Sequence, residues 1–294
     1  PGPAAFGRGG TLPTVTDANL VLGRIVAHRM SGGVALDVDR ARRAIEPLAG
    51  TLGASLERTA VAMLNIADAE MARALRRVSV DRGVDPRSCI LVAFGGGGPL
   101  HACALADLIG ATRVLVPPHA GVLSALGLAM APERREVAAS VMQRTSALDA
   151  HRVQALAAAL AAQGEGEVRV WTARTRYVGQ GYELDVPFTP GDDGSLIAAH
   201  FAERHRVRYG FVLAREVEVV AVRHTASAQA EVVRFARHGV PAWNSQALVD
   251  DGSPCDAEVA GEAVITLPDA TLFVASGWTA RAVALGGWML ERAP

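Results

Sequence analysis

The stretch that most restricts what this chain can fold into is CILVAFGGGGPLH, Cys89 to His101. Six apolar residues without polar alternation, too few for a helix, predict a strand buried on both faces. Gly95, Gly96, Gly97 and Gly98 follow, and Pro99, a residue suited to a first helical turn, opens a helical stretch to about Ile109. After Gly110 comes RVLV, Arg113 to Val116, a second buried strand; PPHAG then leads into a small-residue helix, Val122 to Met130. Strand, helix, strand, helix in this order predicts a parallel α/β layer with a right-handed crossover. The glycine loop then lies at the carboxyl end of a buried strand, where such sheets bind ligands.

Upstream, residues 1–35 are rich in Gly and Pro around one short helix, about Asp17 to Ala27, and helical pattern resumes from Asp39. Ser55 reads as the N-cap of a helix of about seven turns, with Glu57 in its first turn and an apolar face of Leu56, Ala60, Met63, Ala67, Met71, Ala74 and Val78. Arg73, Arg76 and Arg77 near its end complement the helix dipole and read as solvated. Beyond Pro132 the texture changes to alternating segments around two helices, Asp149 to Gln163 and Ser195 to Tyr209, which predicts an α+β second unit. The last forty residues alternate in short β segments broken by Gly261, Pro268 and Gly277, after a polar stretch from Val240 to Asp256. The expected division is 1–135 and 136–294.

Composition excludes several functions. Half the residues are hydrophobic and the net charge is -1, so the chain can bury a core, and it offers no broad positive field to a nucleic acid. No apolar run is long enough to span a membrane. Three cysteines, Cys89, Cys103 and Cys255, lack C-x-x-C spacing, which argues against a zinc ribbon or a disulfide framework and points to the cytoplasm. There is no Lys, so all 29 cationic side chains counted as Lys plus Arg are Arg; Schiff-base chemistry and a G-x-x-x-x-G-K-[ST] phosphate loop are excluded within the chain. H-E-x-x-H and G-x-S-x-G are also absent.

Glycines at Gly95 to Gly98 let the backbone turn tightly and let a ligand approach the main chain, so ligand contact and a merely tight turn both fit. The spacing is not the dinucleotide fingerprint, because Leu100 or His101 stands where its last Gly belongs. His101 and His119 read either as ligand donors or as packing residues. RYVGQGYEL, with Tyr177, Gln180 and Tyr182, reads as a hairpin turn or a subunit contact. HRVRYGF, His205 to Phe211, reads as a helix end capped by Gly210.

FGGGGPLHACALADLIG, followed by VLVPPHAGVLSALGLAMA, resembles the signature stretch of the hydantoinase A/5-oxoprolinase family. Four further blocks fit in the same order: 1–24 (PGPAAFGRGGTLPTVTDANLVLGR), 176–188, 201–211 and 268–278. The resemblance implies part of an actin-like ATPase lobe, of the sugar-kinase and Hsp70 type, followed by a smaller α+β domain. It implies an enzyme that couples ATP hydrolysis to opening cyclic amides such as hydantoins or 5-oxoproline, together with a partner subunit of the hydantoinase B type. A subunit of the ATP-dependent acetone or acetophenone carboxylase type is the alternative; a non-catalytic assembly fragment is another.

The implied cofactors are ATP and Mg²⁺. Gly95, Gly96, Gly97 and Gly98 map onto the adenosine-contacting loop, and His101 joins them as a candidate contact to phosphate or substrate. In TVTDAN, Asp17 is the candidate metal ligand, with helix capping by Thr16 or Asp17 as the competing reading. The family's phosphate loop, an Asp followed closely by Gly-Gly-Thr, is missing, since Gly9-Gly10-Thr11 lacks the Asp. The chain is therefore expected to be the C-terminal portion of a longer subunit and inactive alone. No catalytic residue is assigned.

Overall fold

The computed structural model describes residues 2–27, 35–164, 166–228, 257–283 and 286–293. Cys255 and the polar stretch Val240 to Asp256 that contains it lie outside the described residues. The chain forms two units, one of Pro1–Leu128 with Phe235–Pro294 and one of Ala129–Arg234.

The first unit opens with three helices, α1 (Val15–Val21), α2 (Val38–Leu52) and α3 (Leu56–Asp81). Each starts at a side-chain cap: Thr14, Asp37 and Ser55 accept from the amides of Asp17, Arg40 and Arg58, satisfying donors the helix leaves free at about 1 kcal/mol per cap. Ala18, Ile45, Ala60 and Leu64 join the three helices in one apolar cluster. The buried stripe of α3 is Ala60, Leu64, Asp68 and Ala72, rotated from the face read in the sequence, and Ala74 and Val78 are exposed.

Strand β1 (Leu91–Val92), helix α4 (Gly98–Ile109) and strand β2 (Arg113–Val116) follow, with β1 parallel to β2 in the register Leu91↔Val114 and Val92↔Leu115. β1 is shorter than the six-residue apolar run and sits at a sheet edge, so Ile90, Val92 and Phe94 are exposed instead of buried on both faces. Helix α5 (Leu123–Met130) is apolar and buries no residue. Exposed apolar side chains occur at Leu12 and Val15, and more densely at Ile90, Val92, Phe94, Val122 and Leu128.

The second unit is β3 (Arg134–Arg144), α6 (Ala150–Ala161), β4 (Val168–Tyr177), β5 (Leu184–Phe188), α7 (Gly194–Tyr209) and β6 (Val217–Ser227). Its strands form an antiparallel sheet in the order β3-β6-β4-β5. Alternation along β4 buries Trp171, Ala173, Thr175 and Tyr177, as a sheet covered on one face requires. Val153, Ala157 and Leu160 of α6 and Ile197 of α7 complete that core. On the alternate positions Arg174 and Arg176 pair with Glu183, and Arg176 with Glu218.

His224 of β6 is fully buried, and its ring stacks on Trp171 at 4.1 Å. Neither ring nitrogen has a hydrogen-bond partner of good geometry, and the Leu160 backbone favours the charged ring less than burial disfavours it. Burial holds its pKa below the ordinary histidine value, and the charge of Arg169 pushes the same way. The unfolded chain therefore binds a proton that the folded unit resists. The neutral ring's contribution is fully present above about pH 6.5 and is lost as pH falls from there toward the lower folded value. His224→Phe should flatten the fall of the unfolding midpoint between about pH 7 and pH 5, read by thermal circular dichroism against the unsubstituted chain. An equal pH slope in both proteins would refute this.

Five short strands close the chain: β7 (Glu258–Ala260), β8 (Ala263–Thr266), β9 (Thr271–Val274), β10 (Trp278–Val283) and β11 (Gly287–Arg292). They do not extend a 136–294 domain. β11 pairs antiparallel with β2, Trp288↔Val116 and Leu290↔Val114, giving a mixed sheet β1-β2-β11-β10-β7 in the first unit. The reason is burial: Trp278, Ala280, Trp288 and Leu290 share one core with Val114, Val116, Ala102 and Ala106. Among the described strands the parallel layer is thus confined to β1 and β2, and antiparallel pairs build the rest.

Candidate functional site

Gly95 to Gly98 occupy the loop between β1 and α4, at the carboxyl end of the parallel pair. The Gly95 amide donates to the Ala120 carbonyl at 2.6 Å, tying the loop to the turn after β2, and the Gly98 amide donates back to Gly95 at 3.3 Å. Gly95 has φ +84°, a conformation that itself asks for glycine. Gly96 and Gly97 do not have that need. Gly97 lies at φ -105°, and a Cβ added to either would meet nothing within 4 Å. Their amides find no partner among the described residues, and no side chain caps α4. Two glycines required neither by backbone angle nor by packing, with free donors beside open space, leave room for a group that approaches the main chain.

In the neighbouring turn His119 takes a left-handed conformation, φ 55°, uncommon for a residue with a Cβ. Gly121 is there for steric reasons, since a Cβ would fall 1.8 Å from the Asp269 carbonyl oxygen.

His101 lies in the first turns of α4 and is buried. Its Nδ1 is 2.6 Å from Oδ1 of Asp68, which is equally buried on α3. Sequence reasoning missed Asp68. The signal was present as a carboxylate in the i, i+4 row Ala60, Leu64, Asp68, Ala72, where an acidic side chain needs a buried partner. Nearby, the Arg24 guanidinium lies 4.3 Å from the centre of the Phe273 ring. Burial lowers the Arg24 pKa, opposed by the charges of Asp68 and Glu262. The sequence blocks 1–24, 94–110 and 268–278 therefore meet around this pair.

Asp17 does not face a metal. It is fully buried, and its oxygens accept from the amides of Ala4 (3.3 Å), Ala5 (2.8 Å) and Thr14 (2.9 Å) and from the Thr14 hydroxyl (2.7 Å). Thr14 is the cap of α1, with Asp17 closing a reciprocal capping box. All its acceptor capacity is spent on holding the N-terminal segment. Among the described residues no three His, Cys, Asp or Glu side chains group as metal ligands.

Cys103 is buried on α4, and burial pushes its thiol up to about 11, far from a reactive thiolate at neutral pH. In the second unit the structure brings two sequence motifs together: His205 Nδ1 lies 2.8 Å from the Phe211 carbonyl, its Nε2 lies 3.5 Å from Gln180, and Tyr177 packs edge-on to it at 5.0 Å. Gly210 ends α7 with φ 82°. These residues form a packed corner, and Tyr182 stays exposed. A cleft of roughly 690 Å³ lined by Glu133, Arg135, Gln163 and Glu167 contains none of the residues expected at a site. No described helix is long and apolar enough to cross a membrane.

A strand, a glycine loop with free amides and a helix carrying a buried histidine, set among several sheets, define a mixed α/β protein. The chain belongs to the hydantoinase/oxoprolinase family, whose model matches residues 1–137. An uncharacterized protein of Methanocaldococcus jannaschii is 39% identical over 234 residues, 76% of this chain and 34% of its own length. The caprolactamase subunit alpha of Pseudomonas jessenii is 32% identical over 231 residues, 72% of this chain and 33% of its own. The acetophenone carboxylase gamma subunit of Aromatoleum aromaticum is 40% identical over 129 residues, 43% of this chain and 17% of its own.

The crystal structure of the ATP-dependent caprolactamase from Pseudomonas jessenii superposes with a TM-score of 0.76 at 27% identity, covering 100% of this chain and 49% of that one. The chain thus spans about a third of the length of the first two relatives.

Proposed function

We propose that this chain supplies the nucleotide loop of an ATP-dependent hydrolase subunit that opens cyclic amides, with its first unit forming part of an actin-like ATPase lobe. The observation that carries this reading is the pair Gly96 and Gly97, whose amides are free and whose missing side chains leave open space at the ends of two parallel strands. In a chain without Lys, main-chain donors are the groups suited to an anion or a polar ring edge. Family membership and the ATP dependence of the caprolactamase support ATP as the ligand. When bound, ATP supplies the phosphoryl group that turns an amide carbonyl into a better electrophile.

This chain's residues then have restricted tasks. Gly96 and Gly97 donate to the nucleotide, the Gly95 to Ala120 bond holds the loop in place, and His101 stands behind it on α4. Asp17 does not fit Mg²⁺, and no step is assigned to a metal here. Lactam-type rings such as hydantoin or 5-oxoproline are the substrate class, and a hydantoinase B-type subunit is the partner; the alpha-subunit designation of the caprolactamase relative supports a multi-subunit enzyme. The exposed free thiol of Cys89 suits a reducing cytoplasm.

Calorimetric titration of the chain with ATP and Mg²⁺ tests the loop, and saturable binding is the expected result. No heat of binding would leave the assembly-fragment reading in its place. The acetophenone carboxylase relative favours one second reading, an ATP-dependent carboxylase subunit. Turnover of cyclic amides against ketones by the assembled enzyme separates the two.

A further inference from the structure

We propose that Asp68 is a positioning residue that fixes His101 in one tautomer, so that His101 presents a hydrogen-bond acceptor, not a donor, to the ligand of the glycine loop. The inference rests on the reading of that loop as a nucleotide site.

The geometry is specific. Asp68 and His101 stand 33 residues apart on two helices, both are more than nine-tenths buried, and 2.6 Å separates Oδ1 from Nδ1. An ionised carboxylate only accepts, so the proton lies on the His101 side, at Nδ1. A neutral ring with its proton at Nδ1 has a lone pair at Nε2. The charge of Asp68 also reaches Arg24, the guanidinium nearby. Nε2 has no protein partner among the described residues, and it is not among the buried atoms sealed from solvent without one.

The direction follows from helix geometry. His101 comes three residues after Gly98, about 4.5 Å along the axis, and helical side chains lean toward the N-terminal turn, which here is the glycine loop. An acceptor beside free main-chain donors makes a mixed site. The loop amides take oxygens or ring nitrogens, and Nε2 takes an N–H or O–H. Phosphate oxygens offer no such donor, whereas the nucleoside part of ATP does, at its exocyclic amine and its ribose hydroxyls. The ligand group beside His101 is accordingly the nucleoside, and not the phosphate or substrate that the histidine suggested in the sequence.

Two measurements on the full chain test this. Nitrogen-15 NMR of the imidazoles should find His101 protonated at Nδ1 and free at Nε2. That state should give way to a tautomer mixture in Asp68→Leu and also in Asp68→Asn, whose side-chain amide can donate to Nδ1 as well as accept from it. An Nε2-protonated ring in the unsubstituted chain, or an unchanged ring in Asp68→Leu, overturns the assignment.

The second compares ATP with 2′-deoxy-ATP, 3′-deoxy-ATP and purine riboside triphosphate. One of these should bind about tenfold more weakly than ATP, the effect of one lost hydrogen bond. Asp68→Asn should weaken that preference, and both Asp68→Leu and His101→Phe should erase it. ATP binding with equal affinity for all four ligands overturns the inference and leaves the loop reading intact. No ATP binding by the unsubstituted chain overturns the loop reading itself, and with it the ligand assigned to Nε2.

Discussion

Asp17→Ala should destabilise the first unit by about 3 to 5 kcal/mol, the range for removing one partner of a buried charged network, seen as a fall of roughly 10 °C in its thermal midpoint. Four donors converge on this carboxylate: two amides of the segment at Ala4 and Ala5, and the amide and hydroxyl of Thr14. Removing it leaves buried N–H groups with no acceptor, and each orphan costs about 1 to 3 kcal/mol. It also breaks the capping box of a seven-residue helix that has little stability of its own. Asp17→Asn should recover only part of the loss, because an amide keeps one acceptor and turns two donors toward donors. Differential scanning calorimetry of the three proteins decides it. An Asp17→Ala chain as stable as the parent, with altered metal affinity, would restore the metal-ligand reading.

The second large effect separates glycines that serve the fold from glycines that serve a ligand. Gly97→Val should leave the unfolding midpoint nearly unchanged, since φ is -105° and a Cβ there meets nothing within 4 Å. ATP affinity should fall at least tenfold, because the new side chain fills the approach to the Gly96 and Gly97 amides. Gly121→Ala should do the reverse in kind: its Cβ would lie 1.8 Å from the Asp269 oxygen and 2.5 Å from the Asp269 carbonyl carbon, so the turn and the connection between β8 and β9 must separate. A loss above about 4 kcal/mol, or failure to fold, is expected of such a backbone clash. Unchanged ATP binding by Gly97→Val would discard the nucleotide role of the loop.

Much of the local structure was legible because its causes are local. Ser55 and Glu57 announced α3, Gly210 ended α7, and β2 covers the four residues Arg113 to Val116 read as a strand. Alternation marked the strands of the second unit, and period and caps depend only on neighbouring residues. The glycine loop was visible for the same reason, since four glycines after an apolar run restrict the backbone wherever they stand.

The amphipathic face of α3 was read one position off. A count of apolar residues cannot anticipate that Asp68 would be buried by a histidine 33 residues later. Asp17 illustrates the same limit: its chemistry suits a cation or a set of amides, and only the return of Ala4 and Ala5 to its side decides between them.

By itself, then, the amino-acid sequence determined the strand, loop and helix at residues 91–109, the antiparallel α+β texture after Pro132, the absence of lysine chemistry and the family. Tertiary structure alone decided that β11 joins β2 in the first unit, that Asp17 is a structural acceptor, and that His101 is held by Asp68. The physical reason is range. Hydrogen bonds within a helix or turn, and side-chain alternation along a strand, are set by residues a few positions apart. A strand pairing or a buried charge pair forms only where distant segments share one core, and that choice is made by the total burial and hydrogen bonding of the folded chain.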